Sequence, residues 1–290
     1  MSFPPSPGQT GRVRNELILK ANDVPICAET FGERDDPAIL LIMGSSASMD
    51  GWPDEFCELL AAEGRFVIRY DHRDTGRSIN YPPGEPGYSG GDLVEDALGV
   101  LDALGVRRAQ IVGMSMGGAL AQVIALDHPE RVAALTLIST SFVDRERPDL
   151  PGMSEENAAR FAVPRPDWAD RDQVIDYLVE LERACAADPA TLEDLVRVRV
   201  TRTVDRTVDI EAAVTNHPLI DSPPPRGRLE DLDVPTVVIH GLDDPAFPIE
   251  HGRALSRAIP AAKLLALEDV GHELPRRSWD LVVPAIAGAP

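Results

Sequence analysis

Three cysteines in 290 residues leave little room for a disulfide framework. Cys27, Cys57 and Cys185 also lie far apart without CxxC spacing, which argues against a zinc site. They read as small buried hydrophobes in a reducing cytoplasm. Basic residues are scarce too: 28 Lys and Arg against 48 Asp and Glu give a formal charge of −20. Phosphate binding draws on clustered cations, so neither nucleic acid nor an anionic membrane surface is expected as a partner. Long apolar runs are missing, because charges or turn residues interrupt every hydrophobic stretch before the roughly 18 residues a spanning helix needs. Residues 1–15, MSFPPSPGQTGRVRN, lack the apolar segment of a secretory signal and are expected to form a loose arm. A cytoplasmic protein is the expectation.

What the chain does have is alternation. ELILK and VPICAET flank Ala21, Asn22 and Asp23 as a β-hairpin would. AILLIM (38–43), FVIRY (66–70), AQIVGM (109–114) and VAALTLIST (132–140) are short continuous apolar runs, the mark of strands buried on both faces. Between them WPDEFCELLAAEG, DLVEDALGVLDALG and GALAQVIALDH carry apolar residues at helical spacing, Phe56, Leu59 and Leu60 in the first. Such alternation implies right-handed βαβ units and a mostly parallel central sheet flanked by helices. Residues 141–225 break the rhythm with polar segments such as RDQVIDYLVELERACA and ATLEDLVRVRV and no buried-strand run, and end near PPPRGR; PTVVIHG and AKLLALE then resume the sheet. The division expected is therefore a core formed by 1–140 and 226–290, with a helical cap inserted at 141–225 over the C-terminal edge of the sheet.

GMSMG, residues 113–117, falls between an apolar strand and a helix. Strand, GxSxG and helix together form a nucleophile elbow, whose sharp turn forces the serine into strained backbone and demands small neighbours. Gly113, Gly117 and Gly118 supply that room, and the Met116 amide at the helix N-terminus is placed to meet an oxyanion. A serine hydroxyl is a poor nucleophile until a base takes its proton, so Ser115 requires a histidine and an acid to orient it. The chain order of this arrangement puts the acid after the next sheet strand and the histidine after the last. PTVVIHGLDDP offers Asp243 and Asp244, equally placed by spacing, of which Asp244 before Pro245 is favoured. AKLLALEDVGHELP offers His272. His72, His128, His217, His240 and His251 read as structural. The second oxyanion donor is expected from the loop after AILLIM, at the Ser45 amide, with Gly44 allowing the turn.

Elbow, acid and histidine in this order make the chain resemble the serine hydrolases of the α/β-hydrolase fold across residues 16–287. MGSSASMDGWPDEF (43–56) and IRYDHRDTGRS (68–78) are similar to a narrower group, the aclacinomycin methylesterases of actinobacteria. The wider fold family more often has glycine where Asp74 stands, and the group favours glycine where Ser45 stands; as a backbone donor the latter amide is unaffected. The resemblance places the nucleophile on Ser115, the acid on Asp244, the base on His272 and the oxyanion amides on Ser45 and Met116. In DHRDTGRS, Asp71 and Arg73 read as a structural tie from the strand end to its neighbours. The resemblance implies a cofactor-free, metal-independent esterase, with a methyl ester of an anthracycline-like polyketide as the substrate class. Phe142, Phe161, Trp168 and Tyr177 are the candidates in the cap to line an apolar pocket. A carbon–carbon bond hydrolase or a cofactor-free perhydrolase would carry the same triad, and a ligand-binding protein on this fold is the non-enzyme alternative. The oligomeric state is not legible.

Overall fold

The computed structural model describes residues 15–143, 149–188, 194–221 and 225–288. Most of the proposed N-terminal arm (1–14) and part of the PPPRGR run therefore lie outside the described residues. Strands β1 (Leu17–Ala21), β2 (Val24–Phe31), β3 (Ala38–Ile42), β4 (Phe66–Tyr70), β5 (Ala109–Met114), β6 (Val132–Ile138), β7 (Thr236–Gly241) and β8 (Lys263–Leu267) form one sheet in the order β1-β2-β4-β3-β5-β6-β7-β8. β1 pairs with β2, and β2 with β4, antiparallel; every other pairing is parallel. The opening hairpin turns at Asn22 and Asp23, both with positive φ, the backbone that a two-residue turn of this hand requires.

The apolar runs are continuous because helices cover both faces of the sheet. In β3, Leu40 and Ile42 belong to one core cluster, while Ile39 and Leu41 belong to the other. Helices α2 (Gly90–Ala103), α3 (Met116–Asp127) and α8 (Glu250–Ala258) supply the first layer; α1 (Asp54–Ala62) and α9 (Trp279–Ala287) supply the second. On α1, Phe56 and Leu60 are buried as the spacing suggests, but Leu59 is 41% exposed, because its direction points off the stripe that meets the sheet.

Between β6 and β7 the described residues contain helices and no strand: α4 (Glu155–Phe161), α5 (Arg171–Cys185), α6 (Asp194–Arg206) and α7 (Ile210–Asn216). α6 runs six residues past the end of ATLEDLVRVRV, whose first four residues are not described. α5 and α6 pack through Ile175, Val179 and Val200. The end of α6 is tied to the core by charge. Arg206 reaches Asp50 and Asp71, each at 3.1 Å, and Glu16 at 2.6 Å; Arg202 reaches Asp54. Asp50 and Asp71 sit in the loops after β3 and β4, Asp54 opens α1 and Glu16 stands beside β1, so this segment contacts the C-terminal ends of the strands.

Candidate active site

The order of the strands decides where a site can form. The chain leaves β3 to one side for β4, then crosses to the other side for β5, making a switch point between β3 and β5, where open α/β sheets hold ligands beyond the strand ends. Ile42 pairs with Gly113 across that boundary, so the two loops that follow emerge side by side. A Cβ added to Gly44 would lie 3.3 Å from the Ser115 Cβ. The elbow is as tight as its glycines imply: a Cβ on Gly113 would come within 2.1 Å of the Gly117 carbonyl oxygen, and one on Gly117 within 2.2 Å of the Ile42 carbonyl oxygen. Ser115 itself has φ +53° and ψ −118°. Its carbonyl is held by the Thr140 hydroxyl (2.7 Å) and the Gly118 amide (2.9 Å), which fix the strained turn from outside.

Ser115 occupies the N-cap of α3 without capping it; its hydroxyl is turned to another partner. His272 Nε2 lies 3.0 Å from Ser115 Oγ, and His272 Nδ1 lies 2.9 and 3.2 Å from the two oxygens of Asp244. The neighbouring Asp243 is exposed and its amide donates to the Val270 carbonyl, whereas Asp244 is buried. Asp244 Oδ1 also accepts from the amides of Ala246 (2.8 Å) and Phe247 (2.9 Å). Burial pushes this carboxyl up, but the bond to His272, the charges of His272 and His240 and the Phe247 amide outweigh it and hold the pKa below its ordinary value. An ionised Asp244 accepting at Nδ1 leaves Nε2 of the neutral ring free to accept the Ser115 proton.

Among the described residues, neither the Ser45 amide nor the Met116 amide donates to a protein acceptor. Met116 directly follows Ser115, and Ser45 directly follows Gly44, whose added Cβ would touch the Ser115 side chain. The other histidines are engaged elsewhere. His72 Nε2 donates to the Met43 carbonyl, His217 bridges Ser46 and Arg73, His240 donates to the Phe247 carbonyl, and His251 lies between Ser141 and Pro151. His128 is 3.9 Å from Glu95. The DHRDTGRS loop ties elements together as its charges suggest: Arg73 forms a two-pronged pair with Asp96 (2.7 and 2.8 Å), and Asp71 binds the Met49 and Arg77 amides as well as Arg206. Asp74 takes φ +66° and accepts from Tyr88, Asn216 and the Tyr81 amide. The left-handed backbone is one that glycine adopts freely; here three donors hold an aspartate in it.

The four aromatics singled out in the helical segment do not form one wall. Trp168 and Tyr177 meet edge to face at 5.8 Å, Phe142 packs against the larger core cluster and Phe161 is half-buried at the end of α4. The ring that meets His272 is Phe247, edge-on at 5.7 Å, from the acid loop. Sequence reasoning passed it over, and its position three residues after the acid was the only signal. It also missed the carbonyl of Cys185, at the end of α5, which accepts from the His272 amide at 2.7 Å. Gly271 permits that approach, since a Cβ there would come within 2.3 Å of the same oxygen. The cysteines are free, and burial pushes the Cys27 and Cys57 thiols up to about 12, so neither is a nucleophile at neutral pH. Among the described residues no cluster of three or more metal-ligating side chains occurs, and no helix is long and apolar enough to cross a membrane.

Comparison with known proteins agrees with this fold. The family model described as alpha/beta hydrolase fold matches residues 37–275. The rhodomycin D methylesterase of a Streptomyces strain (strain C5) is 34% identical over 93% of this chain and 96% of its own. The 2-hydroxymuconate semialdehyde hydrolase of Pseudomonas putida is 30% identical over 80% of this chain and 79% of its own. Among solved structures, the meta-cleavage product hydrolase of Pseudomonas fluorescens superposes with a TM-score of 0.73 at 22% identity, covering 93% of this chain and 95% of that one. The chain belongs to the alpha/beta hydrolase fold family and is a hydrolase.

Proposed function

We propose that the protein is a serine esterase that cleaves a methyl ester on a bulky, largely apolar small molecule of the anthracycline kind. The observation that carries the chemistry is the relay Ser115 Oγ, His272 Nε2, His272 Nδ1, Asp244, with contacts of 3.0 and 2.9 Å. Ser115 Oγ attacks the ester carbonyl as His272 takes its proton, and the carbonyl oxygen gathers negative charge between the amides of Ser45 and Met116. His272 then protonates the departing methoxide, which leaves as methanol and an acyl-enzyme. Water, deprotonated by His272, attacks the acyl carbon and releases the free acid with Ser115 restored. Asp244 holds the ring in the tautomer this exchange needs. The methyl ester and the anthracycline scaffold rest on the likeness to the rhodomycin D methylesterase over nearly the whole of both chains. The core of 1–140 and 226–290 carries the reacting groups, and the helical segment 141–225 is assigned to substrate selection.

A second reading, cleavage of a carbon–carbon bond with the same serine and histidine, is favoured by the 2-hydroxymuconate semialdehyde hydrolase relative. Mass spectrometry of products separates the two. Incubation of wild type and Ser115→Ala with a carbomethoxy-bearing anthracycline, a short-chain aryl ester and 2-hydroxymuconate semialdehyde should give serine-dependent conversion of the first to its free acid. Cleavage of the semialdehyde alone would establish the second reading instead.

A further inference from the structure

Of the five histidines outside the relay, two bond to the oxyanion loop: His72 donates to the Met43 carbonyl at its start, and His217 accepts from the Ser46 amide directly after Ser45. His217 follows α7, the last helix before the chain returns to the sheet, and is buried. Its Nδ1 lies 2.8 Å from the Ser46 amide nitrogen, and its Nε2 lies 2.9 Å from the Arg73 carbonyl oxygen. Elementary donor and acceptor rules fix its state. The Arg73 carbonyl can only accept, so Nε2 carries the hydrogen; the Ser46 amide can only donate, so Nδ1 carries none. The ring is thus neutral, in one tautomer, with both nitrogens used. Ser46 is the residue that needs holding: it takes φ +62°, a left-handed conformation that costs a serine free energy, immediately after Ser45. Resting on the proposed function, we infer that His217 is a positioning residue of the oxyanion hole: its bare Nδ1 holds the Ser46 amide, which fixes the Ser45–Ser46 peptide plane and, through the Ser45 Cα, limits how the adjoining Gly44–Ser45 peptide can turn the Ser45 amide.

The surroundings suit that task. His72 meets the His217 ring edge-on at 5.8 Å, and Tyr88 does so at 6.3 Å, so the imidazole cannot swing away. The next residue back, Asn216, donates to Asp74 at 2.8 Å and accepts from the Gly84 amide at 2.6 Å, which anchors the end of α7 in the same loop system. Burial pushes the His217 pKa down, against the raising influence of the Arg73 carbonyl and the Asp74 charge, in keeping with a ring that must stay unprotonated to accept. The helical segment thereby reaches both partners of catalysis: the Cys185 carbonyl meets the His272 amide, and His217 meets the oxyanion loop.

Two conservative substitutions divide the bonds. His217→Asn places an amide oxygen near Nδ1, keeping an acceptor for Ser46, whereas His217→Gln places its amide near Nε2, keeping the donor to Arg73 and leaving Ser46 without an acceptor. Steady-state kinetics with an aryl ester should show kcat lowered about 100-fold in His217→Gln and His217→Ala, the size of losing one oxyanion donor. KM should stay within about threefold of wild type, and His217→Asn should recover most of kcat. Hydrogen exchange of peptides covering residues 43–49 should accelerate in the Gln and Ala variants but not in Asn. Equal kcat in the Asn and Gln variants, or unchanged exchange in that loop, would overturn the inference. A wild type without Ser115-dependent ester turnover would instead refute the esterase reading, and the exchange measurement would still decide whether His217 holds the loop.

Discussion

Ser115 carries a backbone conformation that an L-residue rarely takes, and its hydroxyl forgoes the capping bond that a serine at a helix start usually makes. The strain, on the order of 1–3 kcal/mol, is borne by the surrounding bonds and glycines because it lifts Oγ toward His272. Replacing Ser115 by Ala should abolish turnover, about 10⁶-fold in kcat, while leaving the melting temperature close to wild type, as scanning calorimetry can check. Asp244 and Asp243 were indistinguishable by spacing, and the fold separates them: one carboxylate faces His272 Nδ1 from a buried position, the other is exposed. Asp244→Asn should lower kcat by about 10⁴, because an amide favours the wrong tautomer, whereas Asp243→Asn should change it less than about threefold. Comparable losses from both would contradict the assignment.

At the scale of elements, α6 is fastened to the core by ions rather than by apolar contact. Arg206 is buried among Asp50, Asp71 and Glu16, and Asp71 in turn binds the Met49 amide in the loop that carries Ser45. Removing the cation would leave buried Asp71 with only the Met49 and Arg77 amides and buried Asp50 with Arg202 as a remaining cation. Arg206→Ala should therefore cost about 3–5 kcal/mol in urea unfolding, and Arg206→Lys should recover only part of it, since an ammonium cannot offer the two-pronged geometry. The core elements were legible in the sequence because both-face burial writes continuous apolar runs, as in AILLIM, and because each residue of GMSMG is demanded by local sterics. The helical segment was much less so. Few of its helical residues are fully buried, its aromatics pair with each other or the core, and the contacts that matter come from backbone atoms, such as the Cys185 carbonyl, which no side-chain pattern reports. Phe247 was hidden for a related reason: it reaches His272 only through a loop whose path the sequence does not dictate.

For the whole molecule, buried neutral histidines set the response to acid. Burial, reinforced by the nearby His217, pushes the His72 pKa down to about 3 despite the bond to the Met43 carbonyl; His217 and His240 are also lowered, chiefly by burial. Below the unfolded value of about 6.5, the unfolded chain binds a proton on His72 that the folded chain refuses until about pH 3, so stability falls as pH falls through that window. His72 alone should contribute about 1.4 kcal/mol per pH unit there. Asp71 and Asp96 act in the opposite sense, since burial raises their pKa values and the folded form takes up protons first. Urea unfolding of wild type and His72→Gln, which retains a donor to Met43, isolates the histidine as the difference between two slopes; identical slopes from pH 6.5 to pH 4 would contradict it.

Intact-mass and peptide mapping after treatment with a fluorophosphonate test the central claim most directly, because only an activated serine displaces fluoride from phosphorus at a useful rate. A single adduct on Ser115 in wild type, absent in Ser115→Ala and formed far more slowly in the His272→Ala variant, is the expected result. No adduct on wild type, or labelling that persists unchanged without His272, would contradict a nucleophile activated by this relay.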